Sequence, residues 1–213
     1  MRHWFMLAAA LLLVAPDQDI AAPQKRSSSR LKALVGGRLI DGFGGTPIQN
    51  SVILIDGERI TAVGQVGSLP VPAGAEVIST EGMSVLPGLW DMHVHLMING
   101  HADYAHWDKT YPAQFESVIM PASAEQLLLA GVTSARDLGA PLEASINVRD
   151  RINSGKLPGP TLYVSGPFIQ KAPYPGTEAF RWGVNGSADA RAKVAKLAEA
   201  GVNCIKLIDQ DQM

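Results

Sequence analysis

Pro87-Gly88-Leu89-Trp90-Asp91-Met92-His93-Val94-His95 is the most chemically specific stretch of the chain. An apolar approach from Met83 to Leu89 leads through the Pro-Gly pair into a strand-like run. Alternate side chains on a strand point the same way, so Asp91, His93 and His95 share one face. Two imidazoles two residues apart can ligate one cation, and neutral imidazole is the commonest protein metal ligand. A bare H-x-H also arises as two unrelated histidines on a half-buried strand. The Pro-Gly entry, the apolar approach and a further candidate ligand downstream weigh for the metal site.

Beyond this run, strands and helices alternate, the mark of parallel βα units. Leu89 to His95 is the first strand expected. Met97 to Tyr111 is polar and aromatic, too irregular for a single helix. Ala113 to Met120 and Ala122 to Ala130 read as helical, broken at Pro121 and stopped by Gly131. Val132 to Leu138, Thr161 to Phe168 and Val202 to Ile208 are the next strands. Helices are expected over Leu142 to Asn153 and Ala188 to Ala200, the latter capped by Ser187. Before Pro87 the pattern is short strands and turns: Leu34 to Ile40, Ser51 to Ile55, an Asp56-Gly57 hairpin signal, Arg59 to Val63, Ala75 to Ser79 and Met83 to Leu86. This reads as a small β-domain without helices.

The nine-residue run resembles the entry strand of the amidohydrolase superfamily, whose signature is roughly P-G-[apolar]-x-D-x-H-x-H. Val35 to Gly42 resembles the opening strand of those enzymes, and Gly131 to Gly139 their second barrel strand. Gly201 to Leu207 resembles the fourth, which carries a metal-bridging lysine, here Lys206. The branch it resembles most is that of the imidazolonepropionase-related and Xaa-Pro dipeptidase-like enzymes, over Leu31 to Met213. The resemblance implies an α/β fold: a small β-sandwich portion (31–85) followed by the first four units of a TIM-like (β/α)8 barrel (86–213). Such barrels take about 250 residues, so the chain is expected to be the N-terminal half of a longer enzyme. A complete small α/β domain would have to end its sheet at an exposed parallel edge.

The resemblance further implies two divalent metals, zinc by default, although Mn, Co and Ni suit the same ligands. His93 and His95 would be metal ligands, and Lys206, as a carbamate, the bridge. Two metals about 3.5–4 Å apart lower the pKa of a bridging water and polarise a carbonyl. The implied reaction is hydrolysis of a C–N bond (amide, peptide-like or cyclic amide) by a metal-activated hydroxide, on a small-molecule or peptide substrate. The family's remaining ligands are two histidines from the fifth and sixth strands, with an aspartate from the eighth as proton shuttle. No histidine follows His106, so the chain holds at most half of the site and is expected to be inactive alone. Two other readings stay open: a non-catalytic remnant, and a mononuclear deaminase-like member of the superfamily, which would lack the bridging lysine.

Active sites of such barrels lie at the C-terminal strand ends, where His93, His95 and Lys206 fall. Val202, Cys204, Lys206 and Ile208 alternate onto one face. Burial there would favour the uncharged amine that carbamate formation requires; a strand-end lysine can instead snorkel to solvent. Asp91 is either a partner orienting a ligand histidine or a buried hydrogen-bonded acid. Arg136 and Asp137 face opposite sides of a strand, and a structural ion pair is expected of them. His101 and His106, with Tyr174, Thr177 and Arg181, sit in loops and are substrate-pocket candidates. Cys204 reads as core, since nothing beside it marks an activating base.

With 213 residues, 46% hydrophobic and 18% charged, the composition fits a loop-rich α/β enzyme rather than a coiled coil or disordered chain. A net charge of −2 without a basic stripe argues against nucleic acid as partner. One cysteine excludes an internal disulfide. Residues 1–22 read as a signal peptide: a basic start at Arg2 and His3, then an apolar run from Trp4 to Ala15 shorter than the ~20 residues of a membrane span. An uncleaved anchor is the alternative, since no clean A-x-A site follows. After cleavage no stable membrane insertion is expected. Residues 23–30 read as a linker, and the protein as exported, periplasmic or extracellular.

Overall fold

The structure is a computed structural model that describes residues 31–98, 103–173 and 175–208. The expected signal peptide and linker, His101 and Tyr174 lie outside the described residues. Two compact units meet in sequence between Val85 and Leu86. Among the described residues no helix is long and apolar enough to cross a membrane.

The first unit is a mixed sheet. β1 (Leu31–Val35), β3 (Ser51–Asp56), β4 (Arg59–Gln65) and β5 (Glu76–Ser79) lie in the order β4-β3-β1-β5. β2 (Arg38–Leu39) pairs in parallel with β6 (Ser84–Val85). The β3–β4 hairpin closes where Asp56 pairs with Arg59. Gly57, at φ +61°, supplies the positive φ that a two-residue hairpin loop needs. Ala33, Val52 and Leu54 form the core of this unit. The single strand expected over Leu34 to Ile40 is in fact two, parted at Gly36-Gly37. Gly37 donates its N–H to Thr80 Oγ1 at 3.0 Å, and a Cβ there would come within 2.7 Å of that oxygen.

The second unit alternates strands and helices. β7 (Leu89–Val94), β8 (Val132–Asp137) and β9 (Thr161–Val164) form a parallel sheet. Gly88 lies so close to β8 that a Cβ would overlap Thr133 Oγ1 at 1.9 Å, which gives the Pro-Gly entry a steric reason. Ala135, Leu162 and Val164 bury one face of the sheet together with Ala144, Val148 and Ile152. Those last three recur at four-residue spacing along α3 (Leu142–Asn153), as an amphipathic helix requires. At the end of α3 the Asn153 side chain bonds both backbone groups of Leu162, at 2.9 and 3.0 Å, and so pins the helix to β9.

Several expected boundaries move. α1 (Tyr104–Thr110) occupies the connection expected to be irregular, with Asp103 capping the N–H of His106. The break expected at Pro121 is instead a wider turn. A 3-10 turn (Pro112–Gln114) and a π-helical turn (Phe115–Ile119) run straight into α2 (Met120–Leu129). Proline lacks an N–H and crowds the carbonyl four residues back, and here Met120 N–H reaches the carbonyl of Phe115, five back. The third strand expected over Thr161 to Phe168 is interrupted at 165–167 and resumes as β10 (Phe168–Gln170), flanked by β11 (Arg181–Gly183) and β12 (Leu207–Ile208). The expected fourth strand is regular only at β12, yet Asn203 N–H bonds Val164 O and Ile169 N–H bonds Lys206 O, so it runs alongside throughout. α4 (Gly186–Glu199) begins at Asn185 rather than Ser187.

Candidate active site

His93 lies on β7 and His95 one residue beyond its end. The register of β7 against β8 shifts between Asp91 and Val94. At this irregularity the Asp91 carboxylate accepts the backbone N–H of His93 at 3.0 Å. Asp91 therefore shapes the strand rather than touching either imidazole ring.

The two rings meet. His93 Nε2 and His95 Nε2 are 3.3 Å apart. Two nitrogens each about 2.05 Å from one cation, at the tetrahedral angle, would be about 3.3 Å apart. The donor pair therefore fits a divalent ion. Behind it, the Gly139 carbonyl lies 3.4 Å from His95 Nδ1, placed to accept Nδ1–H and leave the Nε2 lone pair pointing forward. Phe168 packs against the His95 ring edge to face at 5.3 Å.

Burial lowers the His95 pKa to about 4; the Gly139 carbonyl opposes this, and the charges of His93, Lys206 and Arg181 add to it. The ring is neutral at physiological pH, the state in which imidazole binds metal. The same influence puts Lys206, half-buried, within electrostatic reach of His95. Among the described residues no group of three or more His, Cys, Asp or Glu side chains gathers as a metal cluster.

The expected Arg136–Asp137 ion pair is absent. Arg136 Nε donates to the Met92 carbonyl at 2.9 Å. Asp137 is buried, accepts the backbone N–H groups of Gly139 and Leu96, and is pushed up to about 7, chiefly by burial. Adjacent strand residues point to opposite faces, so the pair could not close. Cys204 is half-buried, and burial raises its thiol above the ordinary value, leaving no thiolate nucleophile.

Arg181 stands on β11, not in a loop. Its guanidinium lies 3.6 Å from the buried Asp108 carboxylate and over the rings of Phe168 and Phe180 at 5.1 and 5.3 Å. With Tyr104, Lys109 and Thr177, Arg181 and Asp108 line a pocket of about 480 Å³. His106 is exposed on α1, its ring 6.1 Å from that of Tyr111. Sequence reasoning missed Asp108, Gly139 and Phe168. The available signal for Gly139 was its place just past the second strand, in the segment already singled out.

Residues 84–212 match the family model described as Amidohydrolase family. This chain belongs to the amidohydrolase family. An imidazolonepropionase of Caulobacter vibrioides (strain NA1000 / CB15N) is 33% identical over 122 residues, 56% of this chain and 27% of that protein. Among solved structures, molinate hydrolase superposes with a TM-score of 0.72 at 25% identity, over 84% of this chain and 45% of the other. A prolidase complexed with N-methylphosphonate-L-proline superposes at 0.65 and 26%, over 83% and 46%. The fold is thus a mixed α/β fold like that of amidohydrolase barrel enzymes, matched over part of their length. The chain spans less than half the length of each of these relatives. The imidazolonepropionase and prolidase homologues are hydrolases acting on C–N bonds.

Proposed function

We propose that this chain forms the N-terminal half of a metal-dependent amidohydrolase that cleaves an amide, peptide-like or cyclic-amide C–N bond. On this reading residues 31–85 belong to a β-sandwich and residues 86–213 to the first half of a (β/α)8 barrel. The observation that carries the reading is the 3.3 Å convergence of His93 and His95 Nε2, beside a backbone carbonyl suited to hold one ring.

His93 and His95 would hold one divalent ion, zinc by default. The Lys206 amine would add carbon dioxide and release one proton, and the anionic carbamate so formed would help to hold the two ions. Bound divalent cations supply Lewis acidity for the scissile carbonyl and activate water for attack. The chain's own side chains would do the rest. His95 offers a neutral nitrogen held by Gly139, and Asp91 fixes the backbone that carries His93. The pocket beside Arg181, Asp108 and Tyr104 would receive part of a small-molecule or peptide substrate.

The test uses the complete enzyme. Lys206→Ala should lower bound metal from two towards one per chain and abolish turnover. Lys206→Arg should do no better, because a guanidinium cannot become a carbamate. Short-chain carboxylic acids should restore part of the activity of Lys206→Ala but none to His93→Ala. Two metals and normal turnover in Lys206→Ala would refute the bridge.

A further inference from the structure

We propose that Asp137 is a positioning residue: its buried carboxylate fixes the Gly139 carbonyl that aims the His95 ring at the cation site. The proposal rests on the reading of His93 and His95 as ligands, and it extends the site to a residue that touches neither ring. Asp137 is 1% exposed. Its Oδ1 accepts Gly139 N–H at 3.1 Å, and the carboxylate also accepts the backbone N–H of Leu96. Leu96 directly follows His95, and Gly139 is the residue whose carbonyl lies 3.4 Å from His95 Nδ1. One carboxylate thus ties together the two chain turns that bracket the imidazole. Leu138 N–H, bonded to Val94 O at 2.9 Å, adds a third tie between the same turns.

Phe168 closes the socket. A Cβ on Gly139 would fall 1.9 Å from Phe168 Cε1, and the same ring meets His95 edge to face. Gly139 therefore has no room to retreat, and its carbonyl stays behind Nδ1. Outer hydrogen bonds of this kind set which imidazole nitrogen carries the proton and how the ring is turned. Asp137 Oδ2 has no hydrogen-bond partner among the described residues. A buried polar atom left so is costly, and the bond from Gly139 N–H to Oδ1 gives the fold a reason to keep an acceptor there.

Two measurements on the full chain test this. In the metal-free protein, long-range ¹H–¹⁵N correlation with labelled histidine should show His95 as the Nδ1–H tautomer; an Nε2–H tautomer would overturn the proposal. Zn²⁺ affinity, read by competition with a chromophoric chelator, should fall about 10–100-fold in Asp137→Ala, while Asp137→Asn, which keeps the acceptor oxygen, stays within about threefold of wild type. Circular dichroism and the melting temperature of the metal-free variants separate this from simple destabilisation. Unchanged affinity in a folded Asp137→Ala, or an equal loss in Asp137→Asn, overturns the idea. Should Asp137→Ala fail to fold, the tautomer and the asparagine variant decide. Failure of the underlying ligand reading has its own signature: Zn²⁺ binding that His93→Ala leaves unaltered.

Discussion

Gly139→Ala should be among the most damaging single-methyl additions available to this protein. The new Cβ would stand 1.9, 2.3 and 2.7 Å from three carbons of the Phe168 ring. Carbon atoms pack at roughly 3.5 Å, so the closest contact falls short by about 1.6 Å. Phe168 is 2% exposed and hemmed in by the rings of His95 and Phe180 and by the Arg181 guanidinium. It cannot rotate away without breaking another contact. Overpacking of this kind costs about 1–3 kcal/mol, and a clash this deep belongs at the upper end. Phe168→Ala alone should cost about 3–5 kcal/mol through the cavity it leaves. The double variant should lose less than the sum, because without the ring the methyl has space. Urea unfolding of wild type, both single variants and the double variant measures the coupling, with m-values checking that the transition keeps its character. Gly45→Ala is the control: nothing lies within 4 Å of its Cβ position, and its effect should stay within about 0.5 kcal/mol. Additivity within about 0.5 kcal/mol in the Gly139–Phe168 cycle would refute the steric argument.

Asp137 carries a pH dependence in the metal-free protein. Its folded pKa is raised from 3.8 to about 7, so its contribution is fully present below about pH 4 and lost as pH rises through about 7. Asp137→Asn should therefore gain stability over wild type across that window, on the order of 4 kcal/mol at most; parallel pH profiles from urea unfolding would contradict it. Asp108→Ala should destabilise by about 3–5 kcal/mol, since it removes a buried carboxylate 3.6 Å from the Arg181 guanidinium, and Asp108→Ala/Arg181→Met should recover part of that loss in thermal melts; a double variant worse than the single would be the wrong sign. Export predicts cleavage between about Ala15 and Pro23, after an apolar core of roughly 7–15 residues. N-terminal sequencing of periplasmic material checks it, and intact Met1 in the cytoplasm would dismiss the leader.

Whatever depends on near neighbours in the chain could be read before any coordinates. The Asp56-Gly57 turn follows from glycine's tolerance of positive φ, and α3 from the four-residue spacing of Ala144, Val148 and Ile152. The alternation of Asp91, His93 and His95 is a property of any strand, and the surrounding motifs were specific enough to point to the amidohydrolase family. Where elements stop was less legible. Strand pairing breaks at Gly36-Gly37 because Thr80, 43 residues away from Gly37, fills the space a side chain would need. α1 escaped notice because a helix of seven residues shows too little periodicity, although Trp107 anchors it through a 2.8 Å bond to the Met97 carbonyl.

The chemistry of the site divides in the same way. Local pattern nominates the two histidines, but their 3.3 Å convergence is found at a register shift in β7, where Asp91 holds the His93 backbone. The neutral state of His95 comes from burial beneath Phe168 and Gly139, residues 73 and 44 positions away in the chain. The partners of Asp137 follow the same division: adjacency to Arg136 is visible in the sequence, whereas the Leu96 amide reaches it only once β7 and β8 are paired. Backbone preferences and side-chain alternation act over a few residues and survive in any fold. Desolvation, ring packing and the aim of a lone pair depend on which distant segments are brought into contact, and in this protein those contacts set the geometry of the candidate metal site.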